Sequence, residues 1–194
     1  MKSFILIYIL FFSMGVYSQV KKTPMQRIKE DTELIENKLN FPGTFEVIYL
    51  DRGNAKSELE DYRGAILDYE KALSLMDNQC DFCISYIGNA KLKMGDYPGA
   101  IRAYTILIDK DSYGLEIDAL YKRSFCKLKI NDYRGVILDC NRLIELNPKD
   151  KNAYSYRASA FYHLHQLNDA CLDWSKAGEL GDDDAYVNIK RICN

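Results

Sequence analysis

The sequence predicts an all-α fold, an array of antiparallel helix pairs stacked one upon the next. Three observations predict it. One phrase recurs: "DYRGAILDYEKAL" at 61–73, "DYPGAIRAY" at 96–104 and "DYRGVILDC" at 132–140. The recurrence has a period: Gly53 and Gly88 lie 35 residues apart, as do Ala65 and Ala100, and the matching Val136 and Ala170 lie 34 apart. Within each period apolar residues return three and four places on, as in Ala65, Ile66, Tyr69, Ala72 and Leu73. That is the helical interval, not the strand interval. A unit of this length with two helix-period segments marks a repeat array.

The elements follow in chain order. The opening "MKSFILIYILFFSMGVYSQV" sets Lys2 before an uncharged apolar run from Phe4 to Val16, then Val16-Tyr17-Ser18. This is the three-part layout of a secretory signal peptide over residues 1–18, cut near Ser18–Gln19. The rival is an uncleaved anchor, for which the run is short of the ~20 residues of a spanning helix. The first cysteine is Cys80, far from the cleavage region, which argues against a lipoprotein. Residues 19–43 read as a leading helix and linker, with Met25, Ile28, Ile35 and Leu39 on one side. Four units follow over 44–180, at about 44–79, 80–115, 116–149 and 150–180. Each pairs a first helix ("YLDRGNAKSELE", "ISYIGNAKLKMG", "LYKRSFCKLKIN", "YSYRASAFYHLH") with a second. Asp61, Asp96 and Asp132 stand where a carboxylate caps the second helix. Gly95 can take the left-handed turn before it. Small residues (Gly53 with Ala65, Gly88 with Ala100, Ala158 with Ala170) mark close helix approach. Residues 181–194 read as a capping helix with Tyr186, Ile189 and Ile192 or Cys193 facing inward, the cover a stacked array needs.

Composition excludes several classes. The chain has 194 residues, 47% hydrophobic and 28% charged, with a net charge of −2. Acids and bases are mixed, with no basic block for nucleic acid or an anionic membrane. There is no phosphate loop, nucleophile elbow or zinc-protease motif. His163 and His165, two apart on a helix, point away from each other and cannot share a metal as i,i+4 histidines do. No catalytic group, cofactor or metal is expected.

These units resemble the tetratricopeptide repeat family. The second unit carries the pattern in Ile84, Ile87-Gly88, Ala100 and Tyr104, and the fourth in Tyr154, Ala158, Phe161, Ala170 and Trp174. The third keeps Leu120, Ser124 and Pro148, but Cys140 replaces an aromatic, which suggests a looser core there. The resemblance implies a right-handed superhelical solenoid whose first helices line a concave groove. It places Leu50, Asn54 and Ser57, then Phe82, Ser85, Asn89, Leu92 and Lys93, then Tyr121, Phe125 and Leu128, then Ser155, Ser159 and Tyr162 on that groove. The alternative is a leading helix that folds back over Tyr121 and Phe125. Some family members grip a C-terminal carboxylate with Lys and Asn; Asn54 and Asn89 match the Asn element, but Leu50 stands where the first Lys is expected.

Two further patterns stand out. Arg52 with Asp68, Arg123 with Asp139 and Arg157 with Asp173 recur at one place, and the second unit has Ile87 and Ala103 there instead. Joint loss of both charges is the mark of a buried pair, since one left unpaired costs roughly 3–5 kcal/mol. Six cysteines allow fifteen pairings. Cys171 and Cys193 are expected to join, because the capping helix should run back along the last repeat helix. Cys126 and Cys140 read as small core residues. Cys80 and Cys83 have redox-motif spacing, without the strand–helix context of that motif. The expected function is an exported, periplasmic or secreted, non-catalytic scaffold that binds a protein or peptide. The alternatives are a structural module using its convex face or caps, and a thiol oxidoreductase through Cys80 and Cys83.

Overall fold

The computed structural model of the chain describes residues 22–37, 45–110 and 114–193. The expected signal segment over 1–18 and the leading helix's Leu39 lie outside the described residues. Helix α1 (Pro24–Glu36) leads. Four pairs follow: α2 (Phe45–Glu58) with α3 (Tyr62–Leu75), α4 (Asp81–Lys93) with α5 (Tyr97–Asp109), α6 (Glu116–Lys129) with α7 (Tyr133–Leu146), and α8 (Lys151–His163) with α9 (Leu167–Glu179). A short α10 (Asp183–Asn188) runs into a π-helical turn over Ile189–Cys193. Packing joins each helix to its chain neighbours, so the core is a series of small clusters threaded along the array.

The recurring phrase is a helix start. Asp61, Asp96 and Asp132 accept from the N–H of Gly64, Gly99 and Gly135 at 2.9, 2.9 and 3.0 Å. The glycine lets the carboxylate close down on the helix end, because a Cβ there would overlap the carboxylate's other oxygen. The fourth unit lacks both partners: Gln166 makes no side-chain cap bond, and Asp169 stands at the glycine's place. The residue before each cap is left-handed. Gly95 has φ 78°, and Glu60, Asn131 and His165 hold the same place at 63°, 60° and 59°.

Inside the pairs, Ala65, Ala100, Val136 and Ala170 are fully buried at one register. Gly53 and Gly88 are small for a different partner than expected. A Cβ at Gly53 would lie 2.6 Å from the Tyr69 ring, and one at Gly88 would lie 2.8 Å from the Tyr104 ring. The rings sit one helical turn beyond Ala65 and Ala100. The third unit has Ser124 and Cys140 at these two places. Both are fully enclosed, with Val136 and Ala160 completing that layer, so the short thiol is matched by a larger neighbour and not by looseness.

The ends differ from expectation in two residues. Met25 is exposed, because α1 turns Arg27 and Thr32 toward α2, where they meet Asp51 and Arg52. Tyr186 is also exposed at its edge, its ring covering Gly178, while Ala185, Ile189 and Ile192 pack on Trp174. Cys171 and Cys193 are disulfide-bonded across 22 residues of chain. A loop of that length contributes roughly 3 kcal/mol in the chain-entropy picture.

Candidate functional site

The three arginines reach further than their own units. Arg52 donates to Asp68 through Nε (2.9 Å) and Nη2 (2.6 Å), and its Nη1 donates to Thr32 of α1. Arg123 bonds Asp139 at 3.1 and 2.6 Å and Thr105 of α5 at 3.0 Å. Arg157 bonds Asp173 at 2.7 and 2.8 Å and Asn141 of α7 at 2.6 Å. Each guanidinium thus ties its own pair to the preceding helix. Lys56 and Lys127, one turn on, add a second cation to Asp68 (2.8 Å) and Asp139 (2.9 Å). The hydrogen bonds to Asp68 and Asp173 raise the pKa of Arg52 and Arg157. At the second unit Ile87 and Ala103 are buried instead, and Ile87 packs on Ala65 and Tyr69 of the first. These arginines are committed to the frame and leave the groove to other side chains.

The groove's first half is polar. A cavity of about 370 Å³ opens between α1, α2 and α4, with Asn54, Ser57, Tyr69, Tyr86 and Asn89 on its walls. Arg27 enters it from α1, bound to Glu58 (2.6 Å) and Asp51 (3.2 Å), and these acids raise its pKa. Tyr69 and Tyr104 donate to the Oδ1 of Asn54 and Asn89, both at 2.9 Å. Lys93 lies one turn beyond Asn89, exposed. The second half is aromatic. Phe125 takes the place of Asn54 and Asn89, belongs to none of the core clusters, and has the Lys129 ammonium 5.1 Å above its ring. Tyr162 follows, its ring tilted at 48° to that of Trp174 with centroids 5.9 Å apart.

Several expected groove residues serve packing instead. Ser85 is buried. Leu50, Leu92 and Leu128 lean on the cores beneath them, because their register turns toward the second helices. Tyr121 packs against Leu120, Leu143 and Ala153, and its hydroxyl donates to Asp150, the cap of α8. Burial and that acid push its pKa up. Ser155 bonds Asp182, the cap of α10. Phe82 is 63% exposed at the start of α4. The leading helix α1 packs on α2, at the far end from Tyr121 and Phe125.

Cys80 and Cys83 are disulfide-bonded at the start of α4, where the Cys80 sulfur accepts from the Cys83 N–H. Both are buried against Ala72, Tyr49, Leu50 and Met76, so no sulfur is presented to solvent partners. Cys126 and Cys140 are free and buried. Burial pushes their thiols up to about 11 and about 12, away from the thiolate that nucleophilic chemistry needs. His163 stacks on Tyr133 at 4.6 Å, and His165 occupies the left-handed turn. Among the described residues no group of three or more His, Cys, Asp or Glu is placed to hold a metal ion, and no helix is long and apolar enough to cross a membrane.

The chain resembles known proteins mainly in fold. No protein-family model matches it. A stretch of 54 residues is 35% identical to the Hsp70/Hsp90 co-chaperone CNS1 of Saccharomyces cerevisiae, covering 27% of this chain and 14% of that protein. The similarity therefore spans only a small part of that relative. MamA superposes with a TM-score of 0.71 at 18% identity, over 89% of this chain and 97% of MamA. YrrB, a TPR protein with an unusual peptide-binding site, superposes at 0.67 and 14% identity, over 93% and 97%. The second TPR domain of human RPAP3, in complex with the HSP70 peptide SGPTIEEVD, superposes at 0.52 and 26% identity, over 59% and 99%. The fold is the all-α superhelical solenoid of tetratricopeptide repeats.

Proposed function

We propose that this chain is an exported, non-catalytic scaffold that binds a protein or peptide segment along the groove of its first helices. The observation that carries the reading is Phe125. It is a large aromatic on a first helix, in line with Asn54 and Asn89, yet no core cluster claims it. Aromatic anchors of this kind dominate interface energetics. Peptide binding by YrrB and by the RPAP3 domain on the same fold supports the reading by analogy. Export rests on the opening apolar segment.

The test separates binding from packing. Phe125→Ala should weaken partner capture by about 2 kcal/mol or more while leaving the thermal midpoint nearly unchanged. Leu107→Ala, in the enclosed core, should instead lose about 2–5 kcal/mol of stability. If Phe125→Ala melts as early as Leu107→Ala, the aromatic is packing and the groove reading fails.

A second reading has its own observation. Leu67, Leu138 and Leu172 occupy one register on three second helices and are 67%, 68% and 70% exposed. A structural module meeting its partner through that convex row would keep binding in Phe125→Ala and lose it in Leu138→Asp.

A further inference from the structure

The outer faces of the second helices differ where the repeat would make them alike. On α7 an exposed stripe reads Arg134, Leu138 and Glu145, a cation, a leucine and an acid in order. At the same places α3 has Arg63, Leu67 and Ser74. On α5 they are Pro98, Arg102 and Asp109, and on α9 Asn168, Leu172 and Glu179. Only α7 carries all three. The surface is also hollow there: a cavity of about 540 Å³ opens beside Leu138, between α7 and the α8–α9 turn, with apolar walls of Ile137, Leu138 and Leu164 and with Arg134 and Gln166 at its polar side. Arg134 has no ion pair among the described residues. Arg142 is held by Glu116 at 2.9 Å and more loosely by Glu145 at 3.6 Å, so Glu145 keeps an oxygen to offer.

The chain carries the complementary stripe on α10 and the turn after it. Asp183 precedes Val187 by four residues, as Arg134 precedes Leu138, and Arg191 follows Val187 by four more. All three are exposed, Val187 by 63%. Asp182 caps α10, whereas Asp183 has no ion pair among the described residues. Laid parallel and side by side, the two stripes pair Asp183 with Arg134, seat Val187 against Leu138 at the cavity, and let the long Arg191 side chain reach Glu145. Laid antiparallel, they set Arg191 on Arg134 and Asp183 on Glu145, two like-charge contacts. Within one chain the stripes cannot meet, because α10 packs on Trp174 of α9 and the Cys171–Cys193 disulfide holds its far end there.

We infer that the outer face of α7 is a socket for α10 of a second copy of this chain. The contact uses a different patch on each copy, so each pairing leaves one socket and one α10 open for the next copy, and the assembly grows head to tail. It goes beyond the groove reading and leaves the first helices open to a partner. Of the three leucines in the convex row it engages Leu138 alone.

Sedimentation velocity on the exported protein should show mass rising with concentration, and less so at high salt, which screens the two exposed ion pairs. Leu138→Asp and Val187→Asp should each weaken association by about tenfold or more, since each sets a charge where apolar surface is to be buried. Mixing the two decides whether the patches are partners. Leu138→Asp keeps an intact α10 and Val187→Asp an intact socket, so the mixture should form a one-to-one dimer and stop there. Arg134→Glu and Asp183→Arg should each weaken association, and the two together in one chain should restore it. Leu67→Asp, Leu172→Asp and Phe125→Ala should leave association unchanged, which keeps this contact distinct from the convex row at large and from the groove. All these side chains lie outside the core clusters, so thermal melts should match the wild type. A wild-type chain still monomeric at about 0.1 mM, a mixture no larger than its components, or a Leu67→Asp variant as impaired as Leu138→Asp overturns the inference.

Discussion

The second unit buries Ile87 and Ala103 where the third sets Arg123 against Asp139, and the two units differ at three further places. In the second, Gly88 admits the Tyr104 ring and Asn89 receives its hydroxyl. In the third, Cys140 is short, Ser124 fills the space, and Phe125 is released to the groove. The junctions follow the same division. Ile87 meets Tyr69 of the preceding unit through apolar contact, whereas Arg123 reaches back to Thr105 with a third hydrogen bond. The difference teaches that positions here change in linked sets. A buried charge needs its counter-charge, and in the first two units the tyrosine ring lies where a Cβ on the facing residue would overlap it. The two sets combine freely, since the first unit carries both the Arg52–Asp68 pair and the Gly53, Asn54 and Tyr69 set.

The largest test breaks the charged set. Asp139→Ala strands two cations, Arg123 and Lys127, and should lower unfolding free energy by about 3–5 kcal/mol. Asp173→Ala strands only Arg157 and should cost less. Adding Arg123→Ile to Asp139→Ala copies the second unit and should recover part of the loss in urea melts. A double variant no better than the sum of the two singles would show that the pair is not coupled, and the comparison would lose its charged half.

The steric set is tested by alanine at the same place in both units. Gly88→Ala pushes a methyl group into the Tyr104 ring; overpacking of that kind costs about 1–3 kcal/mol. Alanine's helical advantage of ~1 kcal/mol over glycine offsets part of it, for a net loss of up to about 2 kcal/mol. Ser124→Ala removes a buried hydroxyl without a hydrogen-bond partner and so relieves a desolvation cost; it should not lower stability. Equal effects at the two places would mean that the ring does not dictate the glycine.

What was legible in the sequence was whatever repeats within one unit. The period, the capping aspartates and the paired loss of charge at Ile87 and Ala103 are all local patterns. The Gly–Tyr–Asn set is also written there, since Gly53, Asn54 and Tyr69 recur as Gly88, Asn89 and Tyr104, but small size alone pairs the glycines with Ala65 and Ala100, one turn away. Two kinds of fact were not legible. The third bond of each arginine goes to Thr32, Thr105 or Asn141, residues with no common type, so no pattern announces them. Tyr121 looked like a groove residue because its hydroxyl's partner, Asp150, belongs to the next unit. Apolar period alone also misplaced Met25 and Tyr186, in the two end helices, where the described residues include no further helix to cover them.

The smallest test asks whether the charged junction is equally sound at the first unit. There Arg52 reaches back to Thr32, and the neighbouring Asp31 is buried with one oxygen unpartnered. Burial, Asp51 of α2 and Glu30 of α1 raise its pKa to about 6, against the opposing pull of Arg52. The folded chain therefore holds a proton that the unfolded chain, titrating at 3.8, gives up. The resulting stability is fully present below the unfolded value and is lost as pH rises through about 6. Asp31→Asn keeps the shape and removes the charge. At pH 7.5 it should be more stable than the wild type by about 1–2 kcal/mol, and the gap should narrow steadily as pH falls through 4.5 toward 3.8. Urea melts across that range decide it. A constant difference between the two proteins from pH 4.5 to 7.5 would mean that Asp31 stays ionised in the fold, and that the first junction accommodates its charge as fully as Asp139 is accommodated at the third.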